Sequence, residues 1–149
     1  MVAAATLYDE LVLDHIKNAR NYRALQMADR EAEGVNPLCG DSLHVYVRLN
    51  GDVIQEASFQ CSCCGIAMAS ASVMTEEVTG KTVRQARELY RRFIGVVFGE
   101  EPAEPADDPG ELALLSVVRQ FPSRRDCAAL PWRTLVAALD GRATTTING

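Results

Sequence analysis

The dipeptide Asn50-Gly51 sits between two runs of alternating apolar and polar residues, and no other feature limits the fold as much. Leu43, Val45, Val47 and Leu49 alternate with His44, Tyr46, Arg48 and Asn50, the period of a strand with one buried face. Asn and Gly tolerate the positive φ values that a tight hairpin turn demands. The return strand places Ala57, Phe59 and Cys61 on one side. An antiparallel hairpin with one apolar face must therefore find something to cover it.

The covering elements are helical. Residues 66–79 read as a helix stopped by Gly80, and Ala67, Ala69, Ser70, Ala71 and Ser72 let another backbone come close. Val83, Ala86, Tyr90, Phe93, Ile94 and Val97 recur at helical spacing. Asp108-Pro109-Gly110-Glu111 reads as a helix start with Pro in the first position, and that helix ends by Phe121-Pro122. Trp132, Leu135, Val136 and Leu139 are in phase on a last helix that Gly141 stops. Pro131 lacks an N–H, which sets the expected start of this helix near residue 129, with Cys127 in or just before its first turn. Upstream of the hairpin, residues 6–18 read as an amphipathic helix capped by Thr6, with Asp9 at the third helical position and Tyr8, Leu11, Val12 and His15 on one face. A loop or short strand leads from there into the turn chemistry of GVNPLCGD. The expected class is α+β, a small antiparallel sheet with helices packed on one face. One domain spans 1–149, with an acidic, Pro-rich linker at 99–109 and a disordered tail at 142–149.

The 149 residues suffice for one core, and no apolar run approaches membrane-spanning length. The start lacks a basic n-region, so it reads as a helix and not a signal peptide, and the expected compartment is the cytoplasm. A net charge of −5 argues against a nucleic-acid partner, which needs a basic face. A metal or a protein partner is the better expectation.

Five cysteines, an odd number in a reducing compartment, do not suggest a disulfide framework. Cys39 and Asp41 share a Gly-containing loop, Cys64 lies between a strand end and a helix start, and Cys127 lies near another helix start. Three thiols and a carboxylate suit tetrahedral zinc, and equally iron. Spacing alone leaves this shared site and ordinary buried cysteines both open. Helix starts carry partial positive charge and favour a thiolate beside them. Arg124 and Arg125 either offset charge at such a site or form a solvated basic pair. Cys61 follows the apolar phase of its strand and reads as core, while Cys63 is exposed beside Cys64 and is a candidate second sulfur carrier. A vicinal disulfide between Cys63 and Cys64 is geometrically unfavourable. His15 and His44 have no ligand spacing and read as ordinary core or surface residues.

NPLCGD, CGIAMASASVMT and RRDCAALPW, together with the opening LYDELVLDHIKNARN, resemble the IscU/SufU/NifU-type iron–sulfur cluster assembly proteins over about residues 7–139. The resemblance implies a SufE/IscU-like fold and a metal or cluster site formed by Cys39, Asp41, Cys64 and Cys127. Within the family the chain is closer to the SufU branch. GEEPAEPADDPGELALLSVV matches that branch's insertion, and Asp126 stands where the IscU branch has His. FPSRRDC replaces the Leu-Pro-Pro-Val-Lys motif of the IscU branch, so an Hsp70-type chaperone is not an expected partner. The implied function is acceptance of persulfide sulfur from a cysteine desulfurase at a zinc- or iron-binding site. This would be a sulfurtransferase-like role that works with that enzyme. The alternative is a scaffold that builds a 2Fe–2S cluster and hands it to apo iron–sulfur proteins. Cys39 is the implied acceptor in the first case and Cys127 in the second. The chain departs from the family at Cys61 and Cys63, where a small residue is usual, which leaves open a persulfide passed between thiols. Asp126 is a further candidate oxygen ligand.

Overall fold

The computed structural model describes residues 4–99 and 109–147, with side chains described for 10–99 and 111–147. Helix α1 (Ala4–Lys17) leads into β1 (Arg30–Asn36), β2 (Asp41–Asn50) and β3 (Val53–Ser62). Then come α2 (Gly65–Val78), α3 (Val83–Val97), α4 (Pro109–Gln120), a 3-10 turn (Pro122–Arg124), α5 (Arg125–Leu139) and β4 (Thr144–Thr146). The strand order is β3-β2-β1-β4.

The hairpin forms as its sequence requires. Gly51 takes a φ of 64°, and β2 pairs antiparallel with β3, opposing Val45 to Phe59 and Leu43 to Cys61. Leu43, Val45 and Val47 are buried while the intervening His44, Tyr46 and Arg48 stay half-exposed, so helices cover one face only. His44 lies on the open face, stacked on Tyr46 with ring centroids 4.5 Å apart.

Helix α5 is the main cover. Eleven of its fifteen residues are buried, which is why its pattern is apolar nearly all round. Trp132 is fully buried and stacks on Phe93 with centroids 5.2 Å apart. Truncating either ring to alanine costs about 3–5 kcal/mol, cavity included. Beneath α5 runs β1, and a Cβ added at Gly34 would stand 1.9 Å from the Thr134 hydroxyl. The close approach of helix and strand therefore requires glycine there. Helix α2 lies against α5 on its small residues, and the Ser70 hydroxyl donates to the Ala128 carbonyl at 2.6 Å. His15 is buried, its Nδ1 2.7 Å from the Ser72 hydroxyl, which also accepts from the Arg20 N–H at 2.9 Å. The bland core reading of His15 describes what it does, which is to fasten α1 to α2.

Several expectations are corrected. Helix α1 begins at Ala4, so Thr6 lies within it and does not cap it. Helix α5 begins at Arg125 and carries Pro131 inside, because burial of this helix outweighs the lost backbone bond, a cost of about 3 kcal/mol. The tail is not wholly disordered: Thr144–Thr146 form β4, and it pairs parallel with β1, so the sheet is mixed. Gly141, with φ 75°, turns the chain out of α5, and β-branched threonines suit the edge position. The reading of a linker at 99–109 falls almost entirely on residues outside the described ones.

Candidate metal centre

The turn between β1 and β2 carries the first two site residues. Buried Asn36 organises it: its side-chain Oδ1 accepts from the Leu38 N–H at 3.2 Å, and its carbonyl accepts from Cys39 and Gly40 at 3.3 and 2.9 Å. Gly40 adopts a φ of 76°, a left-handed conformation that closes the turn. Cys39 is thereby lifted to an exposed tip, and Asp41 is turned inward at the start of β2. Asn36 is a positioning residue that the sequence reading passed over. Its signal is the Asn-Pro pair that opens the turn.

The other two residues come from helix starts. Cys64 is the N-cap of α2, and its sulfur accepts from the Ala67 N–H at 3.5 Å. The Cys64 N–H donates to Asp41 Oδ1 at 2.9 Å, which ties the beginning of β2 to the beginning of α2. Cys127 is the third residue of α5 and is buried.

The fold brings three of these positions together. One ligand atom each from Cys39, Asp41 and Cys127 lies within 4.8 Å of the other two. Cys64 is not in that group, although its thiol is one of the groups that act on Cys127. Burial, then the Cys64 thiol, then Cys39 and Asp41 push the Cys127 thiol up to about 12. The helix start was expected to favour a thiolate there. Desolvation and the crowding of acidic groups outweigh it.

Asp41 Oδ2 is buried and accepts no hydrogen bond. Leaving such an atom unpartnered costs about 1–3 kcal/mol. A divalent cation held by Asp41 and the neighbouring sulfurs would remove that cost, and three sulfurs with one oxygen suit tetrahedral zinc or iron. The grouped donors, two sulfurs and one oxygen, suit such a metal, with Cys64 outside the group. Asp126, in the first turn of α5, is not in the three-residue group.

Arg124 is exposed and lines a cleft of about 320 Å³ with Ile16, Cys64, Gly65, Val117 and Phe121. Phe121, in that cleft with Cys64, and Leu38, next to Cys39 in the chain, are large apolar residues that remain 57% and 80% exposed. Arg125 is half-buried, and its Nε donates to the Pro122 carbonyl at 3.1 Å.

The remaining two cysteines are not free. Cys61 and Cys63 form a disulfide, with Cα atoms 5.5 Å apart. This corrects the reading of one core thiol and one exposed thiol. Alternate residues of an extended chain point to the same face, so a Cys-Ser-Cys strand end sets the two sulfurs side by side.

Residues 7–138 match the family described as NifU-like N terminal domain. The chain is 36% identical over 133 residues to the zinc-dependent sulfurtransferase SufU of Bacillus subtilis (strain 168), a match covering 87% of each chain. It is 35% identical over 134 residues to the iron–sulfur cluster assembly scaffold protein IscU of Streptococcus pyogenes serotype M1, covering 89% of this chain and 82% of that one. The crystal structure of a hypothetical protein superposes with a TM-score of 0.79 at 34% identity, over 90% of this chain and 97% of the other.

Proposed function

Because this chain belongs to the NifU-like N-terminal domain family, we propose that it is an iron–sulfur cluster assembly protein that accepts persulfide sulfur from a cysteine desulfurase. The observation that carries the reading is the grouping of Cys39, Asp41 and Cys127 within 4.8 Å, with one Asp41 oxygen buried and unpartnered. Cys39, Asp41, Cys64 and Cys127 would hold zinc or iron. A bound cation keeps its thiol ligands deprotonated at neutral pH.

Exposure supports Cys39 as the acceptor. Cys39 stands at the tip of its turn, whereas Cys127 is 4% exposed. A persulfide carried on another protein therefore reaches Cys39 first. The Cys39 thiolate attacks the outer sulfur of that persulfide, the partner's cysteine leaves as thiolate, and Cys39 keeps the sulfur as its own persulfide. Leu38 and Phe121 offer apolar contacts for the partner around the thiols. Residues of the Cys64 helix start hold Asp41 in place throughout, through the Cys64 N–H.

The test is metal analysis of anaerobically purified protein, paired with a cysteine desulfurase assay. About one zinc per chain, no visible colour and faster desulfurase turnover are the expected results. Iron, acid-labile sulfide and visible absorbance would instead support the scaffold reading with Cys127 as the sulfur-bearing residue. A colourless protein that leaves the desulfurase rate unchanged would overturn both.

A further inference from the structure

We infer that Cys61 and Cys63 form a second sulfur site, a redox pair that reduces persulfide sulfur from the adjoining centre and releases it as sulfide. The inference rests on the acceptor reading above and adds a reaction to it.

The pair is built for exchange and not for bracing. The two residues are separated by one, so their bond closes a very short loop, where the entropic gain from a cross-link is small. Strand β3 is already paired with β2 along its length. The Cα separation of 5.5 Å lies within the ordinary disulfide range, so the dithiol and disulfide forms fit the same backbone. Both residues are half-buried, with exposed Ser62 between them, so small thiols reach them.

Their surroundings assign different roles. Cys61 is held firmly. It lies on the sheet edge, where the Tyr22 hydroxyl donates to its carbonyl at 3.0 Å and accepts from its N–H at 3.2 Å. Its sulfur rests 3.9 Å from the thioether of Met68. Cys63 lies past the end of the strand, and one peptide bond joins it to Cys64, the N-cap of α2, whose N–H is bonded to Asp41 of the centre. Cys63 is thus the thiol nearer in the chain to the centre, and Cys61 is the resolving thiol.

The reaction balances in two displacements. The Cys63 thiolate attacks the outer sulfur of a persulfide at the centre, and the centre's cysteine leaves as thiolate. Cys61 then attacks the Cys63 sulfur next to the outer one, the Cys61–Cys63 disulfide forms, and hydrosulfide leaves. Two thiols lose two electrons, and the sulfane sulfur gains them. A second dithiol of the thioredoxin class returns the pair to its reduced form.

The test uses the full chain, reduced anaerobically, freed of reductant, and given glutathione persulfide. Sulfide is measured alongside mass spectrometry of the cysteine peptides. About one sulfide per chain is expected, appearing together with the Cys61–Cys63 disulfide, with further release only on adding dithiothreitol. In Cys61→Ser protein, sulfur is expected to stay on Cys63 and sulfide to be lost. In Cys63→Ser protein, sulfide is lost and no sulfane sulfur reaches Cys61. Undiminished sulfide from either variant, or wild-type chains that keep their persulfide while both thiols remain free, would overturn the inference. Labelled sulfur delivered to Cys39 by a desulfurase is scored separately, so failure of the acceptor reading shows there and not in the glutathione persulfide result.

Discussion

Asp41→Asn is expected to move metal binding and metal-free stability in opposite directions. In the folded protein Oδ1 accepts from the Cys64 N–H at 2.9 Å, and the amide oxygen of asparagine can keep that bond. Oδ2 is buried and accepts no hydrogen bond, and one carboxylate oxygen of Asp41 lies in the 4.8 Å group with the sulfurs of Cys39 and Cys127. Replacing it with an amide removes a negative charge from a crowded acidic site and supplies a donor facing the thiols. The metal-free protein should gain on the order of 1 kcal/mol, the low end of what an unpartnered buried acceptor costs. Metal affinity should fall, since a charged oxygen ligand is lost. Loss of an outer-shell partner alone costs about 10–100-fold, so a fall of at least that size, about 1.4–2.7 kcal/mol, is expected. Urea denaturation of chelator-treated protein reads the first effect, and competition against a chromophoric zinc chelator reads the second. Asp41→Ala is the contrast: it removes the acceptor for Cys64 as well and should lower metal-free stability by about 0.5–1.5 kcal/mol. Unchanged zinc affinity in Asp41→Asn would refute the assignment of Oδ2 as a ligand, and a loss of metal-free stability would refute the account of its burial.

Three more outcomes follow from named contacts. Gly34→Ala forces a methyl against the Thr134 hydroxyl and should cost about 1–3 kcal/mol, read from the urea midpoint. Thr134→Ala in the same chain should recover part of that loss. Cys39→Ser should abolish labelled-sulfur transfer from a desulfurase, yet leave metal-free stability within about 0.5 kcal/mol, because the residue is exposed. Metal-free protein should lose stability as pH rises. Its Cys127 thiol ionises near 12 when folded against 9.0 for an ordinary thiol, so between those values the unfolded chain binds fewer protons. The stabilising contribution is complete below pH 9 and lost towards pH 12. Denaturation midpoints across that interval should slope downward in wild type and flatten in Cys127→Ala.

The parts of the fold that could be read in advance are those whose signal is local. Alternation on both sides of Asn50-Gly51 marks β2 and β3, and the helical recurrence of Ala86, Phe93 and Val97 marks α3. Pro109 at the first position of α4 was equally legible. The sequence of β1 suits a loop and a strand alike, because its buried face is Ala32, Gly34 and Asn36, residues with little apolar signal. Their smallness has a tertiary cause, since α5 runs so close that Thr134 nearly fills the space at Gly34. Strand β4 has three identical residues and no alternation to read. The expected start of α5 falls too late because Pro131 argues locally against a helix that burial of Trp132, Leu130 and Leu135 stabilises.

The sequence by itself determined the hairpin, the helical cover and the identity of the cysteines and aspartate worth watching, because turn chemistry and periodicity act over a few residues. Tertiary structure alone decided how those residues are placed. It set Cys39 at an exposed tip and Cys127 inside, paired Cys61 with Cys63, and left one oxygen of Asp41 without a partner. Exposure, crowding and an unpartnered atom are properties of distant segments packed together, and no local pattern encodes them.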